Sequence, residues 1–185
     1  MSELEQLLNR IQMAESGSHA RKNWSPTQVA EIDIRISADG RWFHQGRVFK
    51  RPALVKLFAS VLRKIDDAYY LVTPLEKLKI EVDDAPFVAT MMEIIEEQDQ
   101  QVLVFTTNLD DKIIADSEHA IRVDINPLNQ EPRPYIHFRN NLEALISRRA
   151  FFDLLEASSC YEHEGKQYLA VSSMGIDFEL GCIDE

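Results

Sequence analysis

Hydrophobic and polar positions alternate along many short stretches of the chain, and each of these stretches predicts a β-strand. In EIDIRIS, Ile32, Ile34 and Ile36 alternate with polar residues, and Asp39-Gly40 then supplies the tight turn of a hairpin that continues through RWFHQGRVF. Later stretches of the same kind are YYLV, LKIEV, FVATMMEII, QVLVFTT and IRVD. Because these stretches follow one another with short turns between them, we interpret them as an antiparallel meander.

Three other stretches repeat their hydrophobic residues at helical spacing. The first begins SELEQLLNRIQMA, with Ser2 and Glu5 at capping-box spacing. It predicts an amphipathic arm that docks on the body of its own chain or offers its hydrophobic stripe to a partner, and docking is favoured. Pro52 suits the first position of a second helix, and a third is expected from about Ser147. The hydrophobic positions of these helices are Leu4, Leu7, Leu8 and Ile11; Ala53, Leu54, Leu57, Phe58, Val61 and Leu62; and Phe151, Phe152, Leu154 and Leu155.

The order of elements repeats when the chain is shifted by 98 positions. Arg51 then meets Arg149, Leu57 meets Leu155, and Tyr70 meets Tyr168, without a gap across the helix and the following hairpin. Agreement in element order favours a duplicated unit over chance similarity. We therefore predict an α+β protein of two similar modules, each an antiparallel hairpin-rich sheet covered by one helix, plus an N-terminal helical arm. The expected domains are 1–22 for the arm and linker, 23–95 for the first module and 96–185 for the second.

Charge narrows the range of partners. The 185 residues have a formal net charge of -11, which argues against nucleic acid and anionic membranes because both bind through dense cationic surface. Residues 41–64 contain seven basic and no acidic residues. This segment either packs beside acidic parts of the fold or binds an anion. The absence of a long apolar run and of a basic leader predicts a cytoplasmic protein, and Cys160 and Cys182 do not suggest a disulfide framework.

Several long stretches resemble the uncharacterised proteobacterial DUF1285 family. They are DGRWFHQG, RPALVKLFASVLRKIDDAYYLVTPLEKLKIEVDDAPFVA, TTNLDD and PRPYIHFRNNLEALISRRAFF, and the resemblance extends from about Ile32 to Leu180. It implies an α+β protein of two similar modules with a suggested part in signalling or binding. It brings no catalytic residues with it.

Motifs for catalysis, metal binding and cofactor binding are weak or missing. CYEHE brings Cys160, Glu162, His163 and Glu164 together, but on a loop or strand these side chains would splay apart, and a solvated loop is favoured. The acidic loops near Asp66 and Asp67 leave a metal-assisted hydrolase open as an alternative. All six glycines are isolated, so no phosphate-binding loop is predicted. We predict no catalytic residues, no metal site and no cofactor.

The leading interpretation is a non-catalytic binding or signalling module that recognises an anionic small molecule or an acidic partner segment. Arg51 near a helix start adds to the positive end of the backbone dipole, which favours anions. Each half of the chain supplies a group of candidate ligand-binding residues: Trp42, His44, Arg47 and Arg51 in the first, and Arg133, Tyr135, His137, Arg139 and Arg149 in the second. A further alternative is a structural subunit that forms a homo-oligomer through the N-terminal arm.

Overall fold

The computed structural model describes residues 3–15 and 24–183. The chain divides into two compact units, Met1–Asp83 and Asp84–Glu185, which we call the first and second units. This division comes earlier than residue 95, where the sequence pattern placed the module boundary. Residue 95 lies inside a long strand of the second unit, so the pattern alone did not show where one sheet ends and the next begins.

The first unit contains one helix at its start, a second helix in its middle and a six-stranded sheet. Its elements are α1 (Glu3–Glu15), β1 (Gln28–Ile36), β2 (Trp42–His44), β3 (Arg47–Val48), α2 (Pro52–Ser60), β4 (Leu62–Ile65), β5 (Ala68–Val72) and β6 (Glu76–Val82). The strand order in the sheet is β3-β2-β1-β6-β5-β4.

The second unit contains a six-stranded sheet, one helix and a separate three-stranded sheet. Its elements are β7 (Phe87–Glu97), β8 (Gln100–Thr107), β9 (Lys112–Ile114), β10 (Ile121–Ile125), β11 (Pro132–Arg139), β12 (Leu142–Ile146), α3 (Arg148–Glu156), β13 (Ser159–His163), β14 (Lys166–Ser173) and β15 (Ile176–Cys182). The strand orders are β10-β11-β12-β7-β8-β9 and β13-β14-β15.

Both six-stranded sheets are mixed, which corrects the prediction of purely antiparallel sheets. In the first unit β1 pairs with β6 in parallel, with Ala30 opposite Leu78. In the second unit β12 pairs with β7 in parallel, with Leu145 opposite Val88. A parallel pair needs a long connection, so its two strands are far apart in the sequence, and pairing each strand with its nearest neighbour in the chain misses it.

The end of α2 also differs from the prediction. The helix begins at Pro52 as expected, but it ends at Ser60, and Leu62 opens β4 by pairing with Leu71. Phe58, Val61 and Leu62 are all buried, and this spacing of buried residues fits the last turn of a helix as well as the start of a strand. Strand pairing, which is a tertiary contact, decides between the two.

The N-terminal helix packs against its own chain. Leu7 is 2% exposed and Ile11 is fully buried, and Arg10 forms an ion pair with Glu76 at the start of β6. The capping-box residue Ser2 lies outside the described residues. Leu7 and Ile11 are therefore covered within the chain, whereas Leu4 and Leu8 are only partly buried. A homo-oligomer formed through the arm stays a prediction.

The repeat appears in the register of the hairpins that follow α2 and α3. Leu62 pairs with Leu71 in the first unit, and 98 residues later Cys160 pairs with Leu169. The two copies then differ, because β6 joins the six-stranded sheet through β1 whereas β15 closes a sheet of three strands. The modules are therefore similar but not equivalent, and the chain is mostly β.

Each unit has its own buried core. The first is built around Ile34, Ile36, Trp42, Phe58 and Leu71, and the second around Phe87, Leu103, Phe105, Ile136 and Leu154. Three residues of each of the two short helices are buried: Val55, Phe58 and Ala59 in α2, and Ala150, Phe151 and Leu154 in α3. That each helix covers a sheet stays a prediction.

Candidate binding surfaces

Trp42 lies in the core of the first unit. Its side chain is 2% exposed, and its ring stacks on Phe58 with the centroids 6.4 Å apart. The indole Nε1–H has no hydrogen-bond partner among the described residues. The side chain therefore packs against α2, and the structure does not place it on a surface that a ligand can reach.

His44 is partly buried on the same strand. Its ring centroid lies 6.2 Å from that of Phe49, and its Nε2 atom is buried without a hydrogen-bond partner in the described part of the chain. Phe49 in turn packs edge-on against Phe58. His44 thus belongs to the margin of the aromatic core rather than to an open cationic surface.

Arg47, Lys50 and Arg51 are exposed residues of the basic segment, and we call these three residues the basic cluster. All three side chains are exposed, and none forms an ion pair within residues 3–15 and 24–183. Arg51 is the N-cap residue of α2, with extended backbone and no side-chain cap. The cluster therefore combines three full positive charges with the positive end of a helix dipole.

Other basic residues of the segment are engaged within the fold. Arg41 pairs with Asp39 at 2.6 Å, and Arg63 donates a hydrogen bond of 3.0 Å to the carbonyl oxygen of Trp24. The Lys64 ammonium lies 5.6 Å from the centroid of the Tyr69 ring. The seven basic residues of the segment therefore do not act as one surface.

Arg133 and Tyr135, on β11, both contact Asp84. Arg133 forms an ion pair with one carboxylate oxygen, and the Tyr135 hydroxyl donates a hydrogen bond of 2.8 Å to the other. Tyr135 is buried, and burial together with the hydrogen bond to Asp84 and its negative charge raises the pKa of Tyr135 to about 12. An internal carboxylate thus already occupies this part of the predicted anion site.

Arg122, which the sequence analysis did not select, covers the other side of Tyr135. Its guanidinium carbon lies 4.3 Å from the ring centroid, and its fork donates hydrogen bonds of 2.7 and 2.8 Å to the two carboxylate oxygens of Glu143. The hydrogen bonds to Glu143 raise the pKa of Arg122. Charge across β10, β11 and β12 is largely balanced within the sheet.

The last three predicted residues, His137, Arg139 and Arg149, lie in different surroundings. The Nδ1 atom of His137 lies 2.7 Å from the carbonyl oxygen of Glu118. The guanidinium carbon of Arg139 lies 4.1 Å from the centroid of the Phe138 ring, and burial lowers the pKa of Arg139, with Asp111 opposing that effect. Arg149 is exposed on α3. The structure does not gather these side chains around one point.

An apolar trough elsewhere in the second unit consists of two neighbouring cavities, of about 440 and 540 Å³, that share Pro132, Phe151 and Leu155 in their walls. We call them the first and second lobes. The first lobe includes Arg133, Arg148 and Phe152, and the second includes Ile125, Leu169, Leu180, Cys182 and Ile183. Volumes of this size are typical of small-molecule sites.

The sequence pattern did not single out Arg148, and it marked Phe152 only as a hydrophobic helix position, whereas it put the neighbouring Arg149 among the candidate binding residues. The available signal was helical spacing, because Arg148, Phe152 and Leu155 stand four and three positions apart and so share one face of α3. Ser147, the N-cap residue, fixes where that helix begins.

The structure also places the residues considered for metal chemistry. Cys160, Glu162 and His163 lie on β13, where every side chain is exposed and neighbours alternate between faces. Within the described ranges, no three His, Cys, Asp or Glu side chains come together as they would around a metal ion. Of the acidic residues in the first unit, Glu76 is paired with Arg10 and Asp83 with Arg35.

Sequence comparison identifies the family. The sequence model of the N-terminal domain of DUF1285, a domain of unknown function, matches residues 21–85, and that of the C-terminal domain matches residues 86–180. The chain belongs to the DUF1285 family. The resemblance seen in the sequence is thereby confirmed, and the two family domains meet close to the division between the two compact units.

Crystal structures of DUF1285 family proteins resemble the chain. One from Silicibacter pomeroyi DSS-3 has 43% sequence identity and a TM-score of 0.78, and the likeness covers 86% of this chain and 85% of that one. One from Shewanella baltica OS155 has 24% identity and a TM-score of 0.53 over 68% of this chain and 91% of that one, and this likeness shows the fold alone. No protein among those with curated descriptions matches the chain.

None of the helices within the described residues has both the length and the apolar character that crossing a membrane requires.

Proposed function

We propose that this protein is a non-catalytic binding module that recognises an acidic segment of a partner protein through the basic cluster. The observation that carries the proposal is that Arg47, Lys50 and Arg51 are exposed and lack ion-pair partners among the described residues. By contrast, Arg133 and Arg122 in the second unit are neutralised by Asp84 and Glu143. Uncompensated exposed cations favour and steer an anionic partner.

The distribution of charge supports a local anion site on an acidic chain. Residues 1–83 contain 13 Lys and Arg against 11 Asp and Glu, whereas residues 84–185 contain 7 against 20. The units thus carry formal net charges of +2 and -13, which together give -11. The net charge of -11 disfavours a long polyanion such as nucleic acid, whereas a short acidic segment needs only the basic cluster.

The spacing of the cluster favours an extended segment over a compact anion. Lys50 and Arg51 are consecutive, and Arg51 has extended backbone with φ of -106° and ψ of 105°. Consecutive side chains of an extended backbone point to opposite sides, so these two charges diverge. An acidic peptide can reach diverging cations with successive carboxylates, which a single small anion cannot do.

Charge reversal in the cluster tests the proposal. We expect Arg47→Glu combined with Arg51→Glu to weaken binding of a fluorescein-labelled oligoglutamate peptide about tenfold or more, measured by fluorescence anisotropy at low salt. Lys79→Glu together with Lys77→Glu is the matched control, because it changes the net charge equally on β6 of the same unit. Equal weakening by both double variants, or no saturable binding by the unmodified protein, would contradict the proposal.

A further inference from the structure

The apolar trough of the second unit has one polar and one apolar end. In the first lobe the charged wall residues are Arg133, Arg148 and Glu131, and the remaining wall is mostly proline, leucine, isoleucine and phenylalanine. In the second lobe the charged wall residue is Glu179, whose carboxylate accepts a hydrogen bond of 2.7 Å from Tyr161. Positive charge is therefore concentrated in the first lobe, and the second is lined mainly by aliphatic side chains.

Arg148 is placed to receive a carboxylate. It is exposed at the first turn of α3, and its guanidinium carbon lies 5.7 Å from the centroid of the Phe152 ring. It forms no ion pair within the described residues. Stacking on an aromatic ring leaves the edge of the guanidinium group open, and that edge presents the paired N–H groups that match a carboxylate. Arg133 lines the same lobe, but Asp84 compensates its charge, so Arg148 is the residue that can pair with a carboxylate.

Hydrophobic side chains remain exposed along the second lobe. Ile125 is 54% exposed and Ile183 is 49% exposed, and Phe152 at the first lobe is 53% exposed. Covering such side chains with an alkyl chain is favourable, in proportion to the apolar area removed from water. The negative net charge of the second unit opposes the binding of anions in general. An anionic ligand therefore binds here only if an apolar part of the same ligand also contributes binding energy.

We propose that the trough binds a single-chain alkyl carboxylate, with its carboxylate at Arg148 and its alkyl chain along the second lobe. This site is separate from the basic cluster and uses different residues. The proposed function can therefore fail while this inference holds, and the reverse is equally possible.

Binding of acetate, octanoate and dodecanoate to the full chain, measured by isothermal titration calorimetry below the concentrations at which they self-associate, tests the apolar part. We expect no detectable binding of acetate and an affinity that rises about fourfold for each additional buried methylene group. Dodecanol should bind about tenfold or more weakly than dodecanoate, because it cannot form a charge-assisted pair with Arg148. Affinity that is independent of chain length, or equal for alcohol and carboxylate, would overturn the inference.

Neighbouring residues provide matched variants. Arg148→Glu should weaken dodecanoate binding about tenfold or more, whereas Arg149→Glu, which makes the same charge change one position along α3 and lies outside the trough, should change it little. Ile125→Glu in the second lobe should also weaken binding, and Leu128→Glu, at a 93% exposed position outside the trough, should not. Equal effects of the members of either pair would count against this placement.

Cys160 and Cys182 give a readout that needs no substitution. Cys182 lines the second lobe, and Cys160 is exposed on β13 outside both lobes. Saturating dodecanoate should slow alkylation of Cys182 by iodoacetamide several-fold while leaving Cys160 unchanged, as followed by peptide mass spectrometry. Unchanged alkylation of both cysteines under conditions where dodecanoate is bound would show that the alkyl chain lies elsewhere and would overturn the inference.

Discussion

Tyr135 shows how one side chain can be both part of the core and part of an ion-pair network. Its ring is buried between the sheet and the guanidinium group of Arg122, while its hydroxyl is bound to Asp84. A hydrogen bond to a charged group contributes about 1.5 to 3 kcal/mol to stability. Tyr135, which the sequence pattern placed among the ligand-binding residues, therefore contributes to the stability of the second unit.

We predict that Tyr135→Phe lowers the free energy of unfolding by about 1.5 kcal/mol at neutral pH, measured by urea denaturation. The raised pKa of Tyr135 also gives a pH dependence. A group whose pKa is higher in the folded state contributes stability that is present below its ordinary pKa, about 10 for tyrosine, and is lost as pH rises towards 12. The unmodified protein should therefore lose more stability across this range than Tyr135→Phe, and equal losses would contradict the assignment.

Ser173 is a buried polar residue that connects the two sheets of the second unit. Its hydroxyl donates a hydrogen bond of 2.7 Å to the carbonyl oxygen of Ala115 and accepts one of 3.0 Å from the N–H of Leu103. Ser173→Ala leaves both backbone groups without a partner and should cost about 2 kcal/mol of unfolding free energy in thermal or urea denaturation. The neighbouring Ser172→Ala, at an exposed position, should change it by no more than about 0.5 kcal/mol. Similar losses of unfolding free energy in the two variants would show that the buried hydrogen bonds of Ser173 do not stabilise the fold.

At the scale of single residues, the sequence predicted the secondary structure of a residue better than the distant residues that it contacts. Periodicity correctly placed Leu57 and Phe58 on a helix, and the sequence alone showed that residues 41–64 carry no acidic side chain. It could not show that Asp84 would face Arg133 and Tyr135, which are about 50 positions away in the chain. Local sequence carries information about turns and none about such distant ion pairs.

At the scale of elements, the two short helices begin in different ways. In α3 the Ser147 hydroxyl accepts a hydrogen bond of 3.3 Å from the N–H of Ala150, and at the start of α2 Arg51 forms no side-chain cap. Pro52 at the first position partly compensates, because proline has no N–H that needs a partner. The start of α2 is therefore the more open of the two to anions.

Ser147→Ala should destabilise the second unit by about 1 kcal/mol, the usual cost of removing a helix N-cap, as measured by urea denaturation. Ser158→Ala is a suitable control, because the Ser158 hydroxyl only bonds back to the carbonyl oxygen of Leu155 after the helix has ended. A loss in the control as large as that in Ser147→Ala would show that capping is not the cause.

The predictability of elements follows the range of the contacts that define them. Hairpins and helix starts depend on neighbouring residues, and the strands around LKIEV, QVLVFTT and IRVD lie where the pattern placed them. The parallel pairs β1 with β6 and β12 with β7 depend on residues dozens of positions apart, and they were missed. The trough was missed for the same reason, because its walls come from β10, β11, β12, α3, β14 and β15.

At the scale of the whole molecule, two consecutive aspartates mark the division between the units. Asp83 accepts a hydrogen bond of 2.7 Å from Arg35 on β1, and Asp84 binds Arg133 and Tyr135 on β11. Asp83 is therefore bound to the sheet of the first unit, and Asp84 is bound to a sheet of the second. The hydrogen bond from Arg35 lowers the pKa of Asp83, so the stability gained from this pair is present above the ordinary pKa of aspartate and is lost as pH falls.

We predict that Asp83→Asn and Asp84→Asn act on different units. In hydrogen exchange followed by mass spectrometry, Asp84→Asn should increase exchange in β10 to β12, and Asp83→Asn should have a smaller effect, confined to β1 and β6. The difference in size follows from exposure, because the Asp83 side chain is 29% exposed and the Asp84 side chain 16%. Matching increases throughout the chain in both variants would show that the units do not respond separately.

The positions of the two cysteines determine how the molecule responds to oxidation. Cys160 lies on β13 and Cys182 on β15, with β14 between them, which places their backbones about two strand spacings, or roughly 9 to 10 Å, apart. A disulfide requires Cα atoms within about 7 Å. Oxidation of intact molecules will therefore produce covalent dimers and longer chains rather than a closed ring, and samples kept for long periods will need a reductant to stay uniform in mass.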